Sequence, residues 1–258
     1  GLDLGEGLFK MTPKKLYSIY EMWCYIKIHK ILIDMGYEVE EYGILQYRDS
    51  GMHLSLLQDS EAKMIYTSSR NKLELWYNKS YNLPTTNQRP DTVLHIRNVN
   101  GNDKRTYIFD AKYRVSIDNN GIVGPVEEDI NVMHRYRDAI VSKISDDFKY
   151  KYETFGAYLM FPCNNEKQFQ NHKFYKSTDE VNVGAFPMLP GSTKLIRKHL
   201  GKIVNQSSLE AKSERIILDE YDDYAKFNLE NVMVVNVQDK KHLKAYLENN
   251  FYHTPMKR

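Results

Sequence analysis

Three residues in two short segments have the types and spacing to handle a phosphate: RPDTVLHI contributes Asp91, and YIFDAKYRV contributes Asp110 and Lys112. Asp110 and Lys112 stand two apart on a predicted strand, so both side chains leave the same face while Phe109 and Ala111 leave the other. Asp91 opens the preceding strand. Antiparallel pairing across the turn-prone VNGNDK would bring it beside Asp110, so that two carboxylates converge next to one ammonium. Hard divalent cations such as Mg²⁺ bind one or two carboxylates together with waters and phosphate oxygens. Such an ion acidifies a water and neutralises charge on a phosphate, while a lysine orients the water or stabilises the pentavalent state. Phosphodiester hydrolysis is the natural reaction for this set. The plainer alternative makes Asp110 and Lys112 an exposed same-face pair and Asp91 a turn residue. The apolar residues around them favour a central strand over an exposed edge.

A fourth carboxylate, Glu21, belongs to a helix expected over residues 12–35. Thr12 suits the N-cap, Pro13 the first helical position and Gly36 the C-terminal stop, with Leu16, Ile19, Tyr20, Trp23 and Ile26 at helical spacing. The helical neighbours of Glu21 are Tyr17, Ser18, Cys24, Tyr25 and Ile28, a largely apolar setting in which a lone carboxylate is costly. It should have a partner: a metal, a water on that metal, or a distant lysine.

The elements that must position these residues are short strands at YGILQY, HLSLLQ, KMIYTSS and KLELWYN, read as an antiparallel meander, followed by TVLHIRN and RTYIFDAKYRV. A second helix is expected from residue 129 to about 144, with Met133, Tyr136, Ile140 and Ile144 on one face and Glu127, Glu128 and Asp129 at its start. GAYLMF reads as a core strand, residues 162–180 as a polar loop, VNVGAFPMLPG as a strand ending in a turn, and residues 193–201 as a helix. In the tail, NVMVVNV reads as a strand and KKHLKAYLENNF as a short helix. The fold class is therefore mixed α/β, a central sheet flanked by helices, with an N-terminal helix and an added β-meander.

Composition narrows the rest. A chain of 258 residues with 41% hydrophobic content can bury a sizeable core. No apolar run approaches the roughly 20 residues of a membrane span, and no leader pattern precedes a cleavage site, so a soluble, cytoplasmic protein is expected. Two cysteines support neither a disulfide framework nor a zinc cluster. The 36 basic residues are nearly cancelled by 34 acidic ones, so charge alone reveals no nucleic-acid partner. Most of the 20 tyrosines read as half-buried strand residues rather than base-stacking platforms.

RPD, then DAK nineteen residues on, after a helix bearing a glutamate, resembles the PD-(D/E)xK nuclease signature, with alanine at the variable position. YEMWCYIKI, LWYN, RPDTVL, FDAKYRV, DINVMHRYRDAI and VGAFPMLPG resemble, more narrowly, the McrC-like nuclease subunits of restriction systems driven by an AAA+ motor. The resemblance covers roughly residues 12–200. It implies a restriction-endonuclease-like nuclease domain, read here as residues 1–205, and leaves the tail unassigned; residues 206–258 are read as a C-terminal extension packed on the same domain. It also implies Mg²⁺ at Asp91 and Asp110 with Glu21 as a third ligand, Mn²⁺ able to substitute, Lys112 catalytic, and DNA as substrate. One such site cuts one strand, so a double-strand break needs a homodimer or a second encounter. An AAA+ NTPase partner in an antiviral restriction system is implied, and the chain itself has no P-loop.

Around this centre, Arg89, Lys104, Arg105 and Arg114 are candidates to neutralise DNA phosphates or merely to solubilise the surface. His134, Arg137 and Asp138 lie on one side of the second helix. Contact with a phosphate and a solvated face with an internal His134 to Asp138 pair are equally good readings. Tyr136 reads as core. His172, His199, His242 and His253 show no metal-ligand spacing. The competing functions are a nucleic-acid-binding subunit that keeps the fold without chemistry, and an enzyme acting on RNA or branched DNA.

Overall fold

The computed structural model describes residues 13–43, 45–48, 51–54, 62–99, 104–118, 121–143, 150–207 and 210–211. The chain divides into two units, Gly1–Arg215 and Ile216–Arg258, and everything described below belongs to the first. Thr12, Ile144, the tail strand and tail helix, and the packing of the extension lie outside the described residues.

Helix α1 spans Pro13–Asp34 and is followed by Gly36, whose φ of 89° is the left-handed turn that stops it. Its apolar side chains occur all round, and the face that is buried is Tyr20, Cys24, Tyr25, Ile28, Ile31 and Leu32. Leu16 and Ile19, expected on that face, are exposed. The strands are β1 (Glu38–Tyr42), β2 (Leu45–Arg48), β3 (Gly51–Leu54), β4 (Ala62–Thr67), β5 (Asn71–Tyr77), β6 (Thr92–Asn98), β7 (Lys104–Ala111), β8 (Ser116–Ile117), β9 (Val123–Gly124), β10 (Val141–Lys143), β11 (Tyr150–Tyr152), β12 (Thr154–Phe161) and β13 (Val183–Pro187).

Seven of them form one sheet in the order β1-β4-β5-β6-β7-β12-β13. The meander β1 to β7 is antiparallel, while β7, β12 and β13 run parallel. Both faces of the parallel strands are covered, as near-continuous apolar sequences such as TFGAYLMF require; every residue of β12 is buried. The fold is thus the expected α/β arrangement, a large mixed sheet flanked by helices. Helix α2 (Glu127–Ala139) packs against β12 and β13. It ends earlier than its apolar spacing suggests. Ile140 turns extended and Val141 to Lys143 pair with β11, consistent with two β-branched residues in succession.

The segment expected as a polar loop, 162–180, instead holds α3 (Glu166–Phe169) and α4 (Lys173–Glu180). Asn165 caps the first by accepting from the Gln168 amide, and His172 caps the second through Nδ1 and the Phe174 amide. The last helix, α5 (Lys194–Asn205), runs one turn beyond expectation. Its terminal carbonyls are met from the sheet: the Arg105 guanidinium donates to Ile203 O (3.0 Å) and the Asn71 amide to Val204 O (2.5 Å). Arg105 is completely buried, so its assignment to DNA phosphates is wrong; it serves a helix end. Lys104 is tied to Glu153.

His95 and His199 are buried as neutral rings. Burial, then Lys79, pushes His95 down to about 2, with Nε2 against the Lys79 ammonium (2.7 Å) and Nδ1 against Thr106 Oγ1 (2.9 Å). Burial pushes His199, set between Tyr158 and Phe186, down to about 3. Both bind a proton in the unfolded chain below pH ~6.5 but not in the folded one. Stability is therefore complete above pH ~6.5 and falls as the pH drops towards these lower values, by up to ~1.4 kcal/mol per pH unit for each ring. Unfolding by urea at pH 7 and pH 5 should show this loss, and His199→Leu should flatten it; an equal slope in that variant would contradict the assignment.

Candidate active site

The register Thr92↔Phe109 between β6 and β7 sets Asp91 across from Asp110 at the end of the pairing. Asp91 is held by its own backbone and side chain: its carbonyl accepts from the Asn78 amide (2.9 Å), and its Oδ2 accepts from the Ala111 amide (2.8 Å). Asn78 ends β5 with φ 51°, a left-handed conformation that asparagine tolerates. On the other side the Lys112 amide donates to Met160 O (2.9 Å), so β12 carries the sheet pairing through the lysine. The segment from 110 to 112 is thereby fixed from both neighbouring strands.

Lys112 Nζ makes an ion pair with Asp110 Oδ2, stands 3.9 Å from Asp91 Oδ2 and 3.4 Å from Ala111 O. Asp110 has no exposed surface and Asp91 only 9%, which excludes the exposed-pair reading. Burial first, then the Asp110 charge, holds the Asp91 carboxyl well above the usual range, with Lys112 opposing. Burial works against the Lys112 ammonium, but Asp110 and Asp91 outweigh it and raise its pKa. Glu21 joins this field from α1. Burial raises its pKa, Lys112 pulls it back and Asp110 adds to the rise. The region thus carries more carboxylates than ammonium groups.

Among the described residues, no three His, Cys, Asp or Glu side chains gather closely enough to hold an ion by themselves. Glu21, Asp91 and Asp110 are therefore not a ready three-carboxylate cage. The oxygens nearest Lys112 Nζ are those of the two aspartates and the Ala111 carbonyl, a donor set suited to a hard cation that keeps several waters.

Tyr136, expected only to pack in the core, also belongs here. Its hydroxyl donates to Asp110 Oδ1 (3.3 Å), and burial, followed by the Asp110 charge, raises its pKa. The available signal was chemical: a tyrosine on the buried face of a helix needs a partner for its hydroxyl. The basic residues predicted to meet DNA are placed differently. Arg89 is exposed and donates to Asn78 O (3.2 Å). Arg114 grips Asp129 through two bonds (2.8 and 2.5 Å). Arg137 pairs with Asp138 (3.0 Å) and reaches Val181 O (3.4 Å), so in the solvated-face reading the partner of Asp138 is Arg137 rather than His134. His134 is half-buried, its pKa lowered by burial and then by Arg137.

No helix among the described residues is long and apolar enough to cross a membrane. A family model described as the PD-(D/E)XK nuclease superfamily matches residues 18–166, more than half of the chain and the stretch that contains Glu21, Asp91, Asp110, Lys112 and Tyr136. Comparison with curated proteins and with solved structures gives no match.

Proposed function

Because the chain belongs to the PD-(D/E)XK nuclease superfamily, we propose that it is a Mg²⁺-dependent DNA endonuclease whose centre is Asp91, Asp110 and Lys112, with Glu21 beside them. The observation that carries this reading is the convergence of two buried carboxylates from adjacent strands on one ammonium. Asp91, Asp110 and the Ala111 carbonyl would hold the cation, with Mn²⁺ able to replace Mg²⁺, and the excess negative charge there favours a divalent ion. When bound, the ion supplies Lewis-acid chemistry, neutralising charge on the scissile phosphate and acidifying a water.

The chain's own groups do the rest. Lys112 presents its ammonium to the developing phosphorane charge and orients the attacking water. Tyr136 holds one oxygen of Asp110, which leaves Oδ2 turned towards Lys112. Glu21 is suited to accept a hydrogen bond from a water at the site's edge. We place the protein, in its cytoplasmic setting, as the cleavage component of a restriction or antiviral defence system, with an AAA+ NTPase partner and a homodimer for double-strand breaks. That placement rests on resemblance to McrC-like subunits.

The test is direct. Purified protein incubated with supercoiled plasmid should nick it when Mg²⁺ or Mn²⁺ is added and stop when the ion is chelated, and should leave an RNA of matched sequence intact. Cutting that persists in chelator, or RNA cut in preference to DNA, would refute the proposal.

A further inference from the structure

Helix α2 holds both ends of the segment that carries Asp110 and Lys112. At one end Tyr136 donates to Asp110 Oδ1. Seven residues earlier, two helical turns and so on the same side, Asp129 takes Arg114 in a two-bond ion pair, at 2.8 Å from Nε and 2.5 Å from Nη2. Arg114 lies two residues beyond Lys112, where β7 has ended and the chain has no strand partner until β8. The Asp129 side chain is 3% exposed, and its negative charge also acts on Lys112. A planar guanidinium in two-point contact with a fixed carboxylate defines orientation as well as distance.

We propose that the Arg114–Asp129 pair is a positioning device for Lys112: it anchors the chain just past the lysine to the helix that also holds Asp110, and so fixes the ammonium against the carboxylates. This rests on the nuclease reading above only in what Lys112 does. It reassigns Arg114, whose position beside the site first suggests a phosphate contact. The Arg114 side chain is half-exposed, but both of its bonds run to a buried carboxylate, a two-point commitment that competes with phosphate binding and fixes the chain to α2. Asp129, although in the first turn of a helix where a carboxylate suits the dipole, is buried and paired rather than a solvated end charge.

Asp129→Asn separates the two roles. It removes the clamp yet frees the Arg114 guanidinium for DNA. If the pair positions Lys112, Asp129→Asn and Arg114→Gln should each lower kcat about ten- to a hundredfold with little change in KM for DNA. The double variant should be no worse than either single one, and Tm of Asp129→Asn should stay close to wild type, whereas Arg114→Gln alone strands the buried Asp129 carboxylate and should lower it. If Arg114 instead holds a phosphate, Arg114→Gln raises KM and lessens the salt dependence of binding, while Asp129→Asn keeps kcat and tightens binding; that pattern overturns the inference. A second measurement is independent of catalysis. Acylation of Lys112 by an amine-specific reagent, quantified by peptide mass spectrometry in the metal-free protein, should rise several-fold in Asp129→Asn and Arg114→Gln relative to the other lysines. Unchanged labelling overturns the clamp even if the chain cuts DNA, and raised labelling supports it even if wild type cuts none.

Discussion

Replacing Asp110 by asparagine is expected to lower metal-dependent cleavage by at least about a thousandfold without lowering the stability of the metal-free protein. The two effects share one cause. Asp110 is fully buried and, after burial itself, is what holds the Asp91 carboxyl up, because two buried carboxyl groups compete for the one Lys112 ammonium. Removing one carboxylate leaves Asp91 with Lys112 as a balanced pair, and an asparagine turned with its carbonyl to Lys112 accepts from the ammonium while its NH2 donates to the Tyr136 hydroxyl. The same change removes an ionic oxygen ligand, so Mn²⁺ binding measured by calorimetry should weaken at least about tenfold. Tm in chelator should be equal to wild type or higher. Plasmid cutting by Asp110→Asn at the wild-type rate would remove Asp110 from the centre.

Lys112→Met should also silence cleavage, by about a hundred- to a thousandfold, but with the opposite effect on stability. It strands two buried carboxylates without their cation. Breaking a fully enclosed pair costs about 3–5 kcal/mol. The Lys112 side chain is 32% exposed, so the loss should be smaller, though still large enough to lower Tm clearly in chelator. Because Mg²⁺ then replaces the missing positive charge, adding it should raise Tm more in Lys112→Met than in wild type. Equal Mg²⁺ effects in the two proteins would show that ion and ammonium do not share the same carboxylates. The contrast between a variant stable without metal and one that depends on it tests the site even where activity is zero in both.

The convergence of Asp91, Asp110 and Lys112 was legible because it is local. Asp110 and Lys112 share a face by the two-residue period of a strand, and VNGNDK announces the reversal that returns Asp91 to Asp110. The helix bearing Glu21 was readable from Pro13 and Gly36, and the parallel core strand from its unbroken apolar run. Errors arose where local signals were silent or double. Apolar residues surround α1, so spacing pointed to Leu16 and Ile19 while packing chose Cys24, Ile28 and Leu32. Short capped helices such as α3 and α4 carry too few residues to display a period.

Charge was the least legible property. Arg105, Arg114 and Arg137 look alike in sequence, yet one caps α5 from the core, one clamps Asp129 and one reaches Val181 O. A long side chain takes whatever acceptor the fold brings within its reach, and that acceptor is usually distant in sequence. By itself the sequence determined the candidate groups, their shared strand face and the superfamily they belong to, since these depend on residue type and a period of two. Only the tertiary structure decided that Tyr136 meets Asp110, that Asp129 takes Arg114, and that Glu21 enters the field of Lys112. Each of those contacts depends on how α1 and α2 lie against the sheet, which is set by the packing of many apolar side chains at once and is written at no single position.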